Sequence, residues 1–293
     1  MKSKTAYSTA LENAAAPTTD SEKRALSREM GFNYRQVIGE LIYAMVTCRP
    51  DISFPLIKLS QYSSNPAHAH YIAAADILHY LQCTRSEGIY FWRHQHNPEL
   101  PPLDRSFDTE ADTCEATMQD DGHRLKAAVD SNWGGDTSHR RSVTGFVAKL
   151  AGGAIYYKTR FQDTIALSST KAEFAAAVDA GKAILYIRTI LDQLNIPQQD
   201  ATILHINNNG ALNMANQQQP TQRTRHVDIK HFVLQDWVER DLLVLRRITT
   251  TDNYSDAMTK VTGRTLHYKH FDYIMGQIRP PYATIAPSPQ NAI

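Results

Sequence analysis

Four polar residues stand where predicted secondary-structure elements begin or end, and three of them are acids. Asp130 closes an apolar run before a glycine-containing turn, and Glu173 lies in the first turn of a long predicted helix. Asn207 follows a short buried strand, and Asp256 begins another predicted helix. The hypothesis is that these four positions meet at one edge of a sheet, where their side chains could act together in one site.

Each of these residues also has an ordinary explanation when it is taken alone. Asp130 would be a surface residue at a turn, because acids are rarely buried without a partner. Glu173 would be favoured at a helix N-terminus by the helix dipole. Asp228 is expected to cap a helix rather than to bind metal. Trp133 and Trp237 are expected to pack rather than to stack on bases.

The elements that would position the four residues form an α/β block over 124–262. Period-two apolar runs predict strands and period-3.6 runs predict helices. Strands are predicted up to Asp130 and at 142–150 and 153–159, followed by a helix that Ser169 or Thr170 caps and that runs to about 194. A strand at 201–206, helices at 211–215 and 228–239, a strand at 242–248 and a helix start near 254 follow in this order.

Four further segments surround this block. Residues 1–25 are rich in Ala, Ser and Thr and predict a disordered lead-in. Residues 26–93 carry helical apolar periodicity from Tyr34 onward and predict a helical packing unit that ends in a short strand at 88–92. Residues 94–123 combine proline with acidic residues, which indicates a solvated linker. Residues 263–293 complete the chain as a C-terminal helix and tail.

The charge balance excludes a strong attraction of the whole protein to nucleic acid. Lysine and arginine number 31 and aspartate and glutamate number 30, so any attraction to phosphates must be local. Two basic clusters are candidates for nucleic-acid binding, although a solvated charged surface explains them equally well. Their residues are Arg140, Arg141, Arg223, Arg225, His226 and Lys230.

The cysteines and the hydropathy pattern indicate the cellular environment of the protein. The three cysteines are far apart and lack zinc-finger spacing, which argues against a disulfide framework and against a zinc site. A reduced, intracellular environment fits best, either cytoplasmic or nuclear. The sequence has no apolar run of membrane-spanning length, and no membrane partner is expected.

The helical region resembles the end of the reverse transcriptase in copia-type LTR retrotransposon polyproteins. The resemblance is carried by the runs YRQVIGELIY at 34–43, TCRPDI at 47–52 and SNP at 64–66. In that family these helices form a thumb-like region between polymerase and RNase H, which is what the resemblance implies for 26–93. The chain contains no Tyr-x-Asp-Asp run, so DNA polymerisation is not expected of it.

The α/β block resembles the RNase H domain of the same polyproteins, motif by motif. The matching runs are DSNWGGD at 130–136, RRSVTG at 140–145, SSTKAEF at 168–174, RTRHVDI at 223–229 and SDAMTK at 255–260. The resemblance implies an RNase H-like fold, which is a mixed five-stranded sheet flanked by helices. It also implies possible contact with the remaining polymerase domains of a transposon polyprotein.

The implied chemistry is Mg²⁺- or Mn²⁺-dependent hydrolysis of the RNA strand of an RNA/DNA hybrid. By resemblance Asp130 would bridge two metal ions, Glu173 would share one ion with the residue after the fourth strand, and Asp256 would hold the other. The family carries an aspartate at that strand-four position, where this chain has Asn207. An amide offers one neutral oxygen in place of a full charge, so one metal site is expected to be lost or weak.

Three functions remain open at this point. The chain is a hybrid nuclease with an impaired site, a non-catalytic nucleic-acid-binding or interaction module that kept the fold, or a transposon remnant without a selected role. Metal-dependent cleavage separates the first from the others, and salt-dependent hybrid binding separates the second from the third.

Overall fold

A computed structural model describes residues 9–91, 124–134, 140–216 and 229–276. Its first part is helical. The helices are α1 (Asp20–Met30), α2 (Tyr34–Thr47), α3 (Ser53–Ser60) and α4 (His68–Cys83), with a 3₁₀ turn at Pro50–Ile52. Their apolar stripes meet in a shared core that includes Ile38, Leu56 and Ala74. The helical expectation for this region is confirmed, whereas its correspondence to a polymerase thumb stays a prediction.

The expected disorder over 1–25 is wrong for the part that the structure describes. Residues 9–12 are helical, and α1 begins inside the segment. Thr19 accepts a hydrogen bond from the Glu22 backbone N–H at 3.2 Å, and the Glu22 carboxylate accepts one from the Thr19 backbone N–H at 3.0 Å. This reciprocal pair is a capping box, which satisfies two backbone donors at the start of a helix.

The second part is a five-stranded sheet with strand order β3-β2-β1-β4-β5. The strands are β1 (Lys126–Asn132), β2 (Val143–Leu150), β3 (Gly153–Phe161), β4 (Thr202–Ile206) and β5 (Leu243–Arg247). The pairs β1–β2 and β2–β3 are antiparallel, and the pairs β1–β4 and β4–β5 are parallel. The sheet is therefore mixed, and all five predicted strands of the block are confirmed within two residues.

Helices cover both faces of the sheet. They are α5 (Ser169–Gln193), α6 (Asn209–Asn216), α7 (Ile229–Glu239) and α8 (Arg264–Met275), with a 3₁₀ turn at Tyr254–Met258. Alternation along β1 divides the core: Ala127 and Val129 join the α5 face, while Ala128 joins the face of the 3₁₀ turn and α8. None of the helices in the described ranges has the length and apolar composition that a bilayer crossing requires.

Two local predictions are wrong. Ser168 caps α5, accepting from the Lys171 backbone N–H at 3.2 Å, rather than Ser169 or Thr170. The described residues 88–91 are irregular rather than a strand. The Tyr90 N–H donates to the Met275 carbonyl at 2.7 Å. The predicted linker at 94–123 and the tail beyond 276 lie outside the described residues.

The helical part contacts the sheet directly. The Tyr157 hydroxyl on β3 donates to the Met45 carbonyl at the end of α2, at 2.7 Å. The ring of Tyr80 on α4 meets the ring of His267 on α8 edge-on, with centroids 6.2 Å apart. The two parts are therefore packed on each other and not merely joined in sequence.

A buried ion pair connects two segments of the helical part. Arg49 donates to both oxygens of Asp51, at 3.0 Å and 2.6 Å, and the Tyr80 hydroxyl donates to the same carboxylate at 2.8 Å. Arg49 also donates to the Thr84 carbonyl at 3.1 Å, which ties the turn after α2 to the end of α4. The side chains of the pair are 7% and 1% exposed.

The change Arg49→Met is expected to lower the free energy of unfolding by about 3–5 kcal/mol, because it leaves the Asp51 carboxylate buried without its counter-ion. Urea unfolding measures this loss. The control is Lys23→Met, which removes an exposed ion pair with Asp20 at 3.7 Å and is expected to change stability by less than about 1 kcal/mol. Equal losses in the two variants would refute the assignment of Arg49 to a structural network.

Candidate active site

Asp130 lies at the centre of a polar cluster at one edge of the sheet. Its residue is 1% exposed. Its Oδ1 accepts a hydrogen bond from the Asn207 side-chain amide at 3.0 Å, and its Oδ2 accepts one from the Thr259 hydroxyl. Because β1 and β4 are parallel neighbours, Asp130 near the end of β1 and Asn207 just after β4 share the same edge.

Glu173 enters the cluster from the first two turns of α5. It is buried, and its carboxylate accepts a hydrogen bond from the Ser131 backbone N–H. Burial, followed by the charge of Asp130, raises the pKa of Glu173 to about 9. Its Oε2 atom is buried and has no hydrogen-bond partner.

Asp256 enters from the 3₁₀ turn after β5. Asn253 holds that turn in place: its side-chain oxygen accepts from the Ser255 backbone N–H at 3.3 Å, and its amide donates to the Val129 carbonyl of β1 at 3.3 Å. Burial, followed by the charge of Asp130, raises the pKa of Asp256 to about 8. The buried Oδ1 of Asp256 has no hydrogen-bond partner.

Lys260 supplies a positive charge to the cluster. Its ammonium lies 2.7 Å from Asp256 Oδ2 and 3.9 Å from Asp130 Oδ2. Burial alone would lower the pKa of Lys260, but the neighbouring carboxylates raise it above its usual value. The sequence analysis did not single out Lys260 or Thr259, although Lys260 stands four residues after Asp256, a spacing that brings two side chains together in a helix.

The structure thus brings together all four residues that the sequence analysis singled out: Asp130, Glu173, Asn207 and Asp256. Their catalytic and metal-binding roles stay predictions.

Of the predicted nucleic-acid-binding residues, Arg140 and Arg141 are exposed just before β2. Arg223, Arg225 and His226 lie outside the described residues, and Lys230 is described only as part of the backbone of α7.

Trp133 and Trp237, two of the three tryptophans, differ in their exposure to solvent. Trp237 is partly buried and packs against the core, as predicted. Trp133 is 53% exposed, so the prediction that it packs is wrong. Its indole N–H donates to the Ala166 carbonyl at 2.9 Å, which holds the ring at the surface.

The side chains as arranged do not fit a divalent metal ion. Within the described ranges, no three His, Cys, Asp or Glu side chains are spaced to hold one. Each oxygen of Asp130 accepts one hydrogen bond from a side chain, from Asn207 and from Thr259. One oxygen each of Glu173 and Asp256 is buried and accepts no hydrogen bond from the described residues, and such oxygens are hard ligands of the kind that Mg²⁺ takes.

Gly145 permits the close approach on which the cluster depends. It stands opposite Asp130 in the β1–β2 register. A Cβ atom at this position would lie 2.7 Å from Met258 Cβ and 2.7 Å from Thr259 Cγ2, closer than packed carbon atoms allow. The turn that carries Asp256 can therefore pack on β2 only because residue 145 has no side chain.

Comparison with known proteins shows relatives over most of the chain. The Pol polyprotein from transposon TNT 1-94 of Nicotiana tabacum is 28% identical over 254 residues, which are 87% of this chain and 17% of that protein. The Pol polyprotein from transposon RE2 of Arabidopsis thaliana is 25% identical over 85% of this chain and 15% of that protein. The secreted RxLR effector protein 161 of Plasmopara viticola is 31% identical over 53% of this chain and 90% of that protein.

Solved structures similar to this chain include LC11-RNase H1, with 13% identity and a TM-score of 0.36 over 47% of this chain and 93% of that one. A second structure of LC11-RNase H1, in complex with an RNA/DNA hybrid, has 13% identity and a TM-score of 0.32 over 44% of this chain and 88% of that one. No protein-family model matches the chain.

The strand order and the acid cluster at its edge define an RNase H-like domain. Over most of its length the chain is homologous to Pol polyproteins of copia-type retrotransposons. It spans about one sixth of the length of the Pol polyproteins that it matches.

Replacing Gly145 with alanine tests the close approach. Gly145→Ala is expected to lower the free energy of unfolding by about 1–3 kcal/mol, because the added methyl group forces the turn at Met258 away from β2. Thermal or urea unfolding measures the loss. Gly39→Ala is the control, since a Cβ at this exposed position in α2 meets nothing within 4 Å and alanine favours a helix by up to about 1 kcal/mol. A loss no larger than in the control would contradict the crowding.

The acid cluster also predicts how stability depends on pH in the absence of metal. The pKa values of Glu173 and Asp256, about 9 and about 8 in the folded protein, exceed their usual 4.5 and 3.8. The folded state therefore binds more protons than the unfolded state, and stability falls as pH rises through this range. The slope is at most about 1.4 kcal/mol per pH unit for each proton.

Melting temperatures measured between about pH 7 and pH 9 test this dependence. That window avoids His270, whose pKa burial lowers to about 4 and which produces the opposite slope at lower pH. We expect the melting temperature of the wild-type protein to fall across the window and the fall to be smaller in Glu173→Gln. Identical slopes in the two proteins would show that Glu173 is not held protonated.

Proposed function

We propose that the acid cluster is an RNase H-type site for the RNA strand of RNA/DNA hybrids, with Mg²⁺ or Mn²⁺ as its cofactor, and that Asn207 leaves it inactive or strongly impaired. The observation that carries the proposal is the hydrogen bond from the Asn207 amide to Asp130 Oδ1. An N–H donor directed at Asp130 stands where the family has a metal-binding carboxylate.

The amide changes the electrostatics of the site in two ways. It is neutral, so the cluster has three carboxylates, Asp130, Glu173 and Asp256, with which to attract divalent ions. It also donates to Asp130, so it stabilises this carboxylate without any cation. Asp130, Glu173 and Asp256 would hold the metal ions, which would supply activation of a water molecule and stabilisation of the leaving oxygen. Because position 207 carries no acid and Asp130 already accepts a hydrogen bond from Asn207, the site is poorly suited to hold metal ions.

Lys260 reinforces this arrangement. Its ammonium contacts Asp256 and approaches Asp130, so it supplies part of the positive charge that a metal ion would supply. Burial, followed by the charge of Asp130, raises the pKa values of Glu173 and Asp256 although Lys260 lies beside them. A carboxylate at position 207 would add a negative charge that this lysine alone does not offset.

The proposed partners follow from the same reasoning. An RNA/DNA hybrid is the substrate class, and basic residues beside the site, including Arg140 and Arg141, are the proposed phosphate contacts. Because the chain spans only part of its Pol relatives, contact with the remaining domains of such a polyprotein is also a proposal.

The substitution Asn207→Asp tests the proposal. A carboxylate at position 207 repels Asp130 and creates the demand for a cation that the amide removes. We expect cleavage of a labelled RNA/DNA hybrid in Mg²⁺ or Mn²⁺ to increase by at least about 100-fold over the wild-type chain, since an aligned metal site contributes several kcal/mol to the transition state. Gel separation of the labelled RNA strand measures it.

Asn208→Asp is the matched control. It adds the same charge one residue further on, and its side-chain oxygen accepts from the Ala211 backbone N–H at 3.1 Å, a role that aspartate can keep. We expect this variant to cleave no better than the wild-type chain. Efficient cleavage by the wild-type chain would refute the impairment, and inactivity of Asn207→Asp would refute the nuclease assignment.

A further inference from the structure

Trp133 is exposed although it has a fixed orientation. The residue is 53% exposed, and its indole N–H is occupied by the Ala166 carbonyl at 2.9 Å. The loop that provides this carbonyl also exposes Ile165 at 60% and Leu167 at 79%. The hydrogen bond positions the ring of Trp133 without burying it, which leaves its aromatic face available to a ligand.

The ring stands beside the acid cluster. Trp133 directly follows Asn132, whose amide donates to the Thr259 carbonyl at 3.3 Å, and the Thr259 hydroxyl donates to Asp130. On its other side, Ala166 lies two residues before Ser168, which caps the helix that carries Glu173. Trp133 therefore follows Asp130 by three residues and is tied to both the turn beside Asp130 and the start of the helix that carries Glu173.

Positive charge surrounds the same place. The Gly134 backbone N–H donates to the Ser142 hydroxyl at 3.4 Å, so the exposed Arg140 and Arg141 lie just before the start of β2, near Trp133 across the hairpin. Lys171 is exposed in the first turn of α5. The loop acid Asp163 lies 3.2 Å from Arg160, which also pairs with Asp179.

We propose that Trp133 is a stacking platform for an unpaired base of the nucleic-acid strand beside the acid cluster, with Arg140 and Arg141 on the adjoining phosphates. The proposal rests on the proposed function. An indole whose N–H is already bonded offers its π-face, and every base can stack on such a face regardless of sequence. A protein partner would suit the apolar side chains alone, but the basic residues and the position at the site favour a polyanionic strand.

The experiment compares binding of the full chain to two labelled probes, a blunt RNA/DNA hybrid and the same hybrid with a three-nucleotide single-stranded overhang. Fluorescence anisotropy is recorded at fixed salt, without divalent metal so that nothing is cleaved. We expect Trp133→Ala to bind the overhang probe about tenfold more weakly than the wild-type chain, with a smaller loss on the blunt probe. Trp133→Phe, which keeps an aromatic face, should recover most of the affinity.

Leu167→Ala is the matched control, because it removes an exposed apolar side chain from the neighbouring loop without removing a π-face. We expect it to bind the overhang probe as the wild-type chain does. Tryptophan fluorescence gives a second readout: the overhang probe should quench emission from the wild-type chain and should quench Trp133→Phe much less.

Each outcome bears on the proposal. Equal weakening by Trp133→Ala and Leu167→Ala would indicate a merely apolar contact and would overturn the stacking role. Unchanged affinity in Trp133→Ala, or a change only in its oligomeric state, would overturn it in favour of a protein interface. Either result can coexist with cleavage by Asn207→Asp, so the failure of the platform is distinguishable from the failure of the nuclease assignment.

Discussion

The burial of three acidic side chains at one place is the constraint around which the sheet edge is organised. Asp130, Glu173 and Asp256 come from three different elements and are all nearly inaccessible to water. Burial, followed by the charge of Asp130, raises the pKa values of Glu173 and Asp256. Hydrogen-bond donors and a cation around the cluster offset the repulsion that full ionisation of these acids would create.

Two kinds of group offset the repulsion. Neutral donors, the Asn207 amide and the Thr259 hydroxyl, engage Asp130, and one cation, Lys260, contacts Asp256. An aspartate at 207 would remove a donor and add a charge in a single change. The amide thus leaves the cluster partly neutralised by hydrogen-bond donors and a cation of its own chain.

The sequence predicted this site because the relevant residues are tied to element ends. Asp130 follows an apolar run and Glu173 follows a cap, so period and capping place both near one edge of the sheet. The side-chain partners of Asp130 could not be predicted in this way, because Thr259 is 129 positions away in the chain. Contacts of that separation depend on the packing of the 3₁₀ turn over Gly145, which local patterns do not encode.

The misses outside the site have similar causes. The capping box of Thr19 and Glu22 is a local signal of a helix start, and amino-acid composition, on which the prediction of disorder rests, does not contain it. Residues 88–91 have side chains typical of a strand but are irregular in the structure. Tertiary context, which the local sequence does not contain, decides strand formation. Trp133 shows the reverse case, since an aromatic residue expected in the core is retained at the surface by one hydrogen bond.

The contact between the helical part and the sheet has a consequence for how the chain behaves when it is cut. Tyr157 bonds to the end of α2, Tyr80 lies against His267 of α8, and Tyr90 bonds to the last residue of α8. A protease acting between Phe91 and Arg124 would sever the backbone and leave these contacts in place. The two halves would then remain a non-covalent complex, and cleavage there would not release an autonomous RNase H-like half.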